Sequence, residues 1–178
     1  MEDKVKRVSA DEDAVDRIVA QWATERPELD SSPMAVVGRI HRVADLLDAA
    51  LRPPFAAEGL GNGDFDVLAS LRRAGTPYRL TPSELTATMM VTSGAVTKRI
   101  DRLEVLGLVS RSVAEHDARS RLVELTPAGV EVVDRVVEKH WANEERLLAP
   151  LSANERAALV AGLRKLLLSL DADPKRAT

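Results

Sequence analysis

Apolar residues return every three or four positions through most of the chain, and where such a run begins a Ser or Thr commonly stands just before a Pro or a Glu. Those residues start helices, because the hydroxyl accepts a bond from an orphan first-turn amide. On this reading Ser9-Ala-Asp-Glu12 opens a helix to about residue 25. Ser32-Pro33 opens a second, which carries Val36, Ile40, Val43, Leu47 and Leu51 and stops at Pro53-Pro54. The run Gly59-Leu-Gly-Asn-Gly63 turns the chain, and Asn62 caps a helix through Arg73 with Phe65, Leu68 and Leu71 inward. No strand precedes those glycines and no Gly-Lys-Ser/Thr follows, so they make a turn and not a phosphate loop.

Thr81-Pro-Ser-Glu84 heads a short helix with Leu85 and Met89 inside, and about three residues later Thr92-Ser93-Gly94 begins another. That one buries Val96, Ile100, Leu103 and Leu106 and is closed by Gly107. Two short helices so tightly joined predict a helix-turn-helix. Alternating β-branched residues at 108–113 and 121–125, with the polar loop 114–120 between them, predict a β-hairpin, or wing. Thr126-Pro127 and Ser152-Ala-Asn-Glu155 cap two further helices, the first with Val130, Val133, Val137 and Trp141, the second with Leu159, Leu163, Leu166 and Leu170.

The fold class expected is therefore mainly α with a small β-wing, a winged helix-turn-helix core flanked by N- and C-terminal dimerisation helices. Its parts are 1–60 (N-terminal helices), 61–126 (winged core) and 127–178 (C-terminal helices). The helices from Ser32 and Ser152 carry more Leu and Val than so small a core could cover. A shared stripe at both chain ends implies a homodimer, with two-fold symmetry as the default.

Composition narrows the function. The 178 residues suit one domain, or a small domain with helical extensions, and five aromatics leave the core to Leu, Val, Ala and Ile. With 45% hydrophobic and 30% charged residues, the chain is neither disordered nor membrane-embedded. The absence of Cys excludes a disulfide framework, a thiolate zinc site and a cysteine nucleophile. His41, His116 and His140 lack metal-ligand spacing, no nucleophile–base pair is recognisable, and no cofactor is implied, so an enzyme is not expected. The first residues contain no apolar signal core and no stretch spans a bilayer; a cytoplasmic protein is expected. The net charge of −3 disfavours nucleic acid on its face, yet residues 71–121 hold nine basic and five acidic side chains while the rest is strongly acidic. A basic face can form only in that central segment.

The order Phe65-Asp-Val-Leu-Ala-Ser-Leu, Thr92-Ser-Gly-Ala-Val-Thr-Lys-Arg-Ile-Asp-Arg-Leu, Gly107-Leu-Val, Asp117-Ala-Arg119 and Val123-Glu-Leu-Thr-Pro-Ala-Gly129 resembles the MarR family of dimeric winged-helix transcription factors. The resemblance implies a regulator, a repressor by default, that binds double-stranded DNA as a homodimer. A narrower likeness is to the urate-responsive branch with its extra N-terminal helix. It implies Trp22, Asp66, Arg99 and Arg111 as ligand-binding residues for a small anionic or aromatic effector such as urate, with Asp66 and Arg111 facing each other. The bland readings are that Asp66 is a first-turn carboxylate favoured by the helix dipole and that Trp22 is interface packing.

The residues themselves support DNA contact. The helix from Thr92 turns Ser93, Ala95, Thr97, Lys98 and Arg102 away from its apolar stripe; short side chains let a helix approach base edges in the major groove while cations meet phosphate. Thr92 and Arg99 belong to the same DNA-binding set. In the wing, Arg119 suits the minor groove, Arg121 an intramolecular or phosphate contact, and Asp117 is placed to hold an Arg and fix the tip. The competing view is a solvated helix face and a decorative turn, in a winged-helix protein-interaction module that does not bind DNA.

Overall fold

The structure is a computed structural model and describes residues 12–89, 93–114 and 117–172. The chain divides into two units, 1–50 and 51–178. Among the described residues no helix is long and apolar enough to cross a membrane.

The first unit holds α1 (Ala14–Glu25) and α2 (Pro33–Ala50). The box predicted at Ser9 falls partly outside the described residues, and α1 starts later than it implies. Asp13 caps it by accepting from the amides of Val15 and Asp16, while Asp16 reaches back to the Asp13 amide. Arg39 of α2 then binds both carboxylates, which closes the helix pair over the buried Val15.

α2 ends at Ala50 and does not continue to Pro53-Pro54 as expected. Pro is tolerated in a first turn, where its missing N–H costs nothing. The two prolines accordingly sit inside a new helix, α3 (Arg52–Ala56), and Leu51 packs against the second unit's core. α4 (Asn62–Arg73) follows; its cap is Gly61, not Asn62, and the Asp64 carboxylate accepts the Gly61 amide at 2.8 Å. The first-turn acid is therefore Asp64, and Asp66 lies in the second turn.

Thr81 and Glu84 exchange the expected cap bonds at the head of α5 (Pro82–Met89). α6 (Ser93–Val105) comes next; Thr92, with the tight turn between the two helices, lies outside the described residues. α6 buries Val96, Ile100 and Leu103 at helical spacing, against Leu68 and Leu71 of α4 and Leu85 of α5 in one core cluster. Leu106, expected inside, is exposed, because the helix has already stopped. The Leu108 amide returns to the Leu103 carbonyl and the Gly107 amide to that of Glu104, with Gly107 at φ 70°; this reversal suits glycine.

The wing is β2 (Val109–Ala114) paired antiparallel with β3 (Asp117–Leu125), in the register Val109↔Leu125 to Val113↔Arg121, with an irregularity before Ala114↔Asp117. The loop is thus shorter than 114–120: a solvated ribbon pairs through its backbone whatever its side chains, so polarity alone overestimates the loop. A strand not anticipated, β1 (Arg79–Leu80), pairs Arg79↔Glu124 and Leu80↔Val123, giving the order β1-β3-β2. α7 (Pro127–Leu148) is capped by the Thr126 hydroxyl and buries Val133 and Val136, while Trp141 is exposed. α8 (Ala153–Asp171) has the predicted box at Ser152 and Glu155, and its Leu159, Leu163, Leu166 and Leu170 are all exposed.

Candidate nucleic-acid interface and effector cavity

Burial of Val96, Ile100 and Leu103 determines which way α6 faces. Thr97 and Lys98 emerge exposed, Ala95 is half-buried, and nothing is described of the Ser93 side chain. Arg102 is on the same face and also exposed, yet its guanidinium is engaged within the chain. It donates to the Gly59 carbonyl at 3.0 Å and stands 3.1 Å from Asp64, whose carboxylate is almost fully buried. Arg102 therefore ties α6 to the turn before α4, besides presenting charge outward.

In the wing, Arg121 is exposed on β3. Asp117 and Arg119 belong to the same strand, with no described side-chain placement.

Arg99 points inward instead of outward. Its guanidinium lies against Gly63 of α4, so closely that a Cβ there would meet Arg99 Cζ at 2.2 Å. Its Nη1 is buried with no hydrogen-bond partner, a condition that costs free energy and leaves a donor for an anion. Close by in electrostatic terms is Asp66. Loss of surrounding water pushes its carboxyl above the ordinary value, while the charges of Arg99, Arg73 and His140 pull it back.

Asp66 lines a cavity of about 590 Å³ between α4 and α7, with Phe65, Arg72, Arg73, Asp134, His140 and Trp141 among its walls. Arg72 is held at the rim by a two-point bond to Asp134, at 2.8 and 3.2 Å, and stacks over Tyr78. Two of its walls are flat rings, Phe65 and His140, 5.3 Å apart, and behind them Phe55 stacks on Phe65 at 4.6 Å and meets His140 at 5.0 Å. His140 Nε2 stands 3.1 Å from a carboxylate oxygen of Glu144, which accepts from it, while its Nδ1 is buried and unpartnered. A cavity with cations, one unsettled carboxyl and flat apolar surfaces is suited to a planar, negatively charged molecule.

The four ligand positions implied by the resemblance fare differently. Asp66 and Arg99 come together. Arg111 does not join them: it is bound to Asp101 and Glu104 of α6, so its expected pairing with Asp66 is corrected. Two acids three residues apart on α6 face one side of that helix together and take both ends of the guanidinium. Trp22 belongs to the first unit, where it lines a cavity of about 190 Å³ with Arg26, Leu29 and Met34. Sequence reasoning missed Arg72, Arg73, Asp134, His140 and Trp141, because the cavity joins helices some sixty residues apart and no spacing rule reports that. Among the described residues no group of three or more His, Asp or Glu could hold a metal ion.

Comparison with known proteins agrees with this geometry. Residues 58–120 match the pattern of the MarR family. The chain is 42% identical over 152 residues to the HTH-type transcriptional regulator PecS of Dickeya dadantii (strain 3937), covering 85% of this chain and 92% of PecS. It is similar to the structure of a mutant of MarR from Escherichia coli complexed with operator DNA, with a TM-score of 0.67, 30% identity, and 82% of this chain and 97% of that chain covered. It is also similar to Bordetella bronchiseptica BpsR, whose DNA binding is regulated by 6-hydroxynicotinic acid, with a TM-score of 0.66, 26% identity, and 74% of this chain and 91% of that chain covered.

Proposed function

The chain belongs to the MarR family of DNA-binding transcription regulators, and from that premise we propose that it is a homodimeric repressor released from a pseudo-palindromic operator by a small planar anion. The observation that carries the DNA reading is the division of α6: Val96, Ile100 and Leu103 are buried while Thr97, Lys98 and Arg102 reach solvent. To Thr92, Ser93 and Ala95, short residues in the sequence, we assign the contacts that a recognition helix makes with base edges. In the hairpin we assign Arg119 to the flanking minor groove, Arg121 to an intramolecular or phosphate contact, and Asp117 to holding an Arg at the tip.

Two copies place two α6 helices in successive major grooves, about one helical turn apart. The apolar side chains that α2 and α8 leave exposed, among them Val43, Leu47, Leu163 and Leu167, support dimerisation. In this reading 1–60 and 127–178 serve the dimer and 61–126 the DNA.

For the effector, the cavity beside Asp66 is the favoured site, with urate and 6-hydroxynicotinate as representative ligands. An anion there competes with Asp66 for the Arg99 charge, and since Arg99 is part of α6 the competition favours a different helix position. Trp22 and Arg111 remain in the effector set by resemblance. The test is a titration of a complex between the protein and its own promoter fragment with urate, 6-hydroxynicotinate and a panel of purine, phenolic and carboxylic anions. Release by at least one of them, lost in Asp66→Ala, is expected. A panel with no effect would discard the effector and leave the DNA reading intact.

A further inference from the structure

Arg111 stands on the wing strand β2, yet its guanidinium is committed to the recognition helix. Nη2 donates to Asp101 and Nη1 to Glu104, so one planar fork closes on two carboxylates that neighbour each other along α6. The Arg111 side chain is only 30% exposed, less than either acid. Helix and strand are already joined at the Gly107 reversal, where the Leu108 amide returns to Leu103. That joint sets where β2 begins, at Val109, and holds only the start of the hairpin to α6. Arg111 supplies a second point of attachment, farther along the strand.

We propose that Arg111 is a positioning residue for DNA binding: by tying β2 to Asp101 and Glu104 it sets the separation between the recognition helix and the wing, which must enter adjacent grooves together. The proposal rests on the reading of α6 and the hairpin as the DNA-contacting parts. It also gives the two acids a function. Bare carboxylates on a helix that meets phosphate would repel DNA; under a shared guanidinium they become anchors for the wing.

Charge and tether predict opposite signs, and this makes the test decisive. Arg111→Ala, the pair Asp101→Asn with Glu104→Gln, and all three changes together are titrated against the promoter fragment by fluorescence anisotropy. Thermal melts and hydrogen exchange of the wing amides accompany the titrations. A purely electrostatic role predicts weaker binding on losing Arg111 and tighter binding on losing the acids. The tether predicts that both weaken binding by about fivefold, that the combined variant is no worse than either, and that wing amides exchange faster in all three. Should Arg111→Ala melt far below the parent, Arg111→Lys decides: it keeps the charge but loses the fork, and is expected to lose most of the same affinity. Tighter binding by the acid-pair variant, independent additive effects, or full affinity in Arg111→Lys would overturn the proposal. A parent protein that binds no fragment would instead overturn the reading of α6.

Discussion

Gly63 and Arg99 occupy one another's space: the guanidinium lies where the side chain of any other residue at 63 would begin, 2.2 Å from the Cβ such a residue would carry. Gly63 is thus the seat that lets an arginine of the recognition helix turn inward toward Asp66. Gly63→Ala is expected to evict Arg99 and to raise the effector concentration for half-release of DNA about tenfold, the loss of a charge-assisted contact. Promoter affinity without effector should change little. The measurement is effector-induced release followed by anisotropy, and an unchanged midpoint would show that Arg99 does not transmit the signal.

The core that orients α6 makes a stability prediction. Leu103 is fully buried among residues of the winged core. Leu103→Ala is expected to cost about 2–5 kcal/mol of unfolding free energy, measured by chemical denaturation. A cost near zero would mean that α6 is not anchored along this stripe.

Glu58 predicts how the molecule responds to acid. The Arg135 guanidinium, and after it the Lys139 ammonium, hold the Glu58 carboxyl down at about 2. In the unfolded chain a Glu titrates near its ordinary value, so the bound carboxylate stabilises the fold above that pH, and the contribution is lost as pH falls toward 2. Glu58→Gln should therefore melt below the parent at neutral pH and converge with it in strong acid. A difference in melting temperature that stays constant from pH 7 to pH 2 would contradict the ion pair.

The exposed leucines of α8 make the assembly testable. Leu163→Glu combined with Leu167→Glu puts charge on its apolar face; in sedimentation velocity the parent is expected to run as a dimer and the variant as a folded monomer. A parent that is already monomeric would refute the dimeric reading altogether.

What could be read from the sequence was what neighbouring residues decide. The caps at Thr81 and Ser152 are local exchanges of one hydroxyl, one carboxylate and a few amides, that at Thr126 joins one hydroxyl to one amide, and all three start helices where expected. The same rule misplaced the first helix because Asp13 and Asp16 form an equally good box a few residues on. Pro53-Pro54 is ambiguous in principle, since proline ends one helix and begins another. β1, two residues long, has no periodicity to detect.

The site divides along the same line. The stripe on α6 showed which side chains face out, since burial at helical spacing is a property of the helix alone. It could not show that Arg102 returns to Asp64, that Arg111 holds Asp101 and Glu104, or that Arg99 lies over Gly63. Such pairings depend on how the elements meet. The Asp66 cavity was half legible for this reason: Asp66 itself was found, and its α7 wall was not.

The central claim is that α6, delivered twice, reads duplex DNA. The most direct test is the salt dependence of binding to the protein's own promoter region, with stoichiometry measured on the same samples. The account predicts two protomers per site, an affinity that falls steeply with salt, and a log–log slope reduced by about two in Lys98→Ala, one phosphate from each subunit. Failure to bind any promoter fragment at low ionic strength, or a slope that Lys98→Ala leaves unchanged, would contradict it.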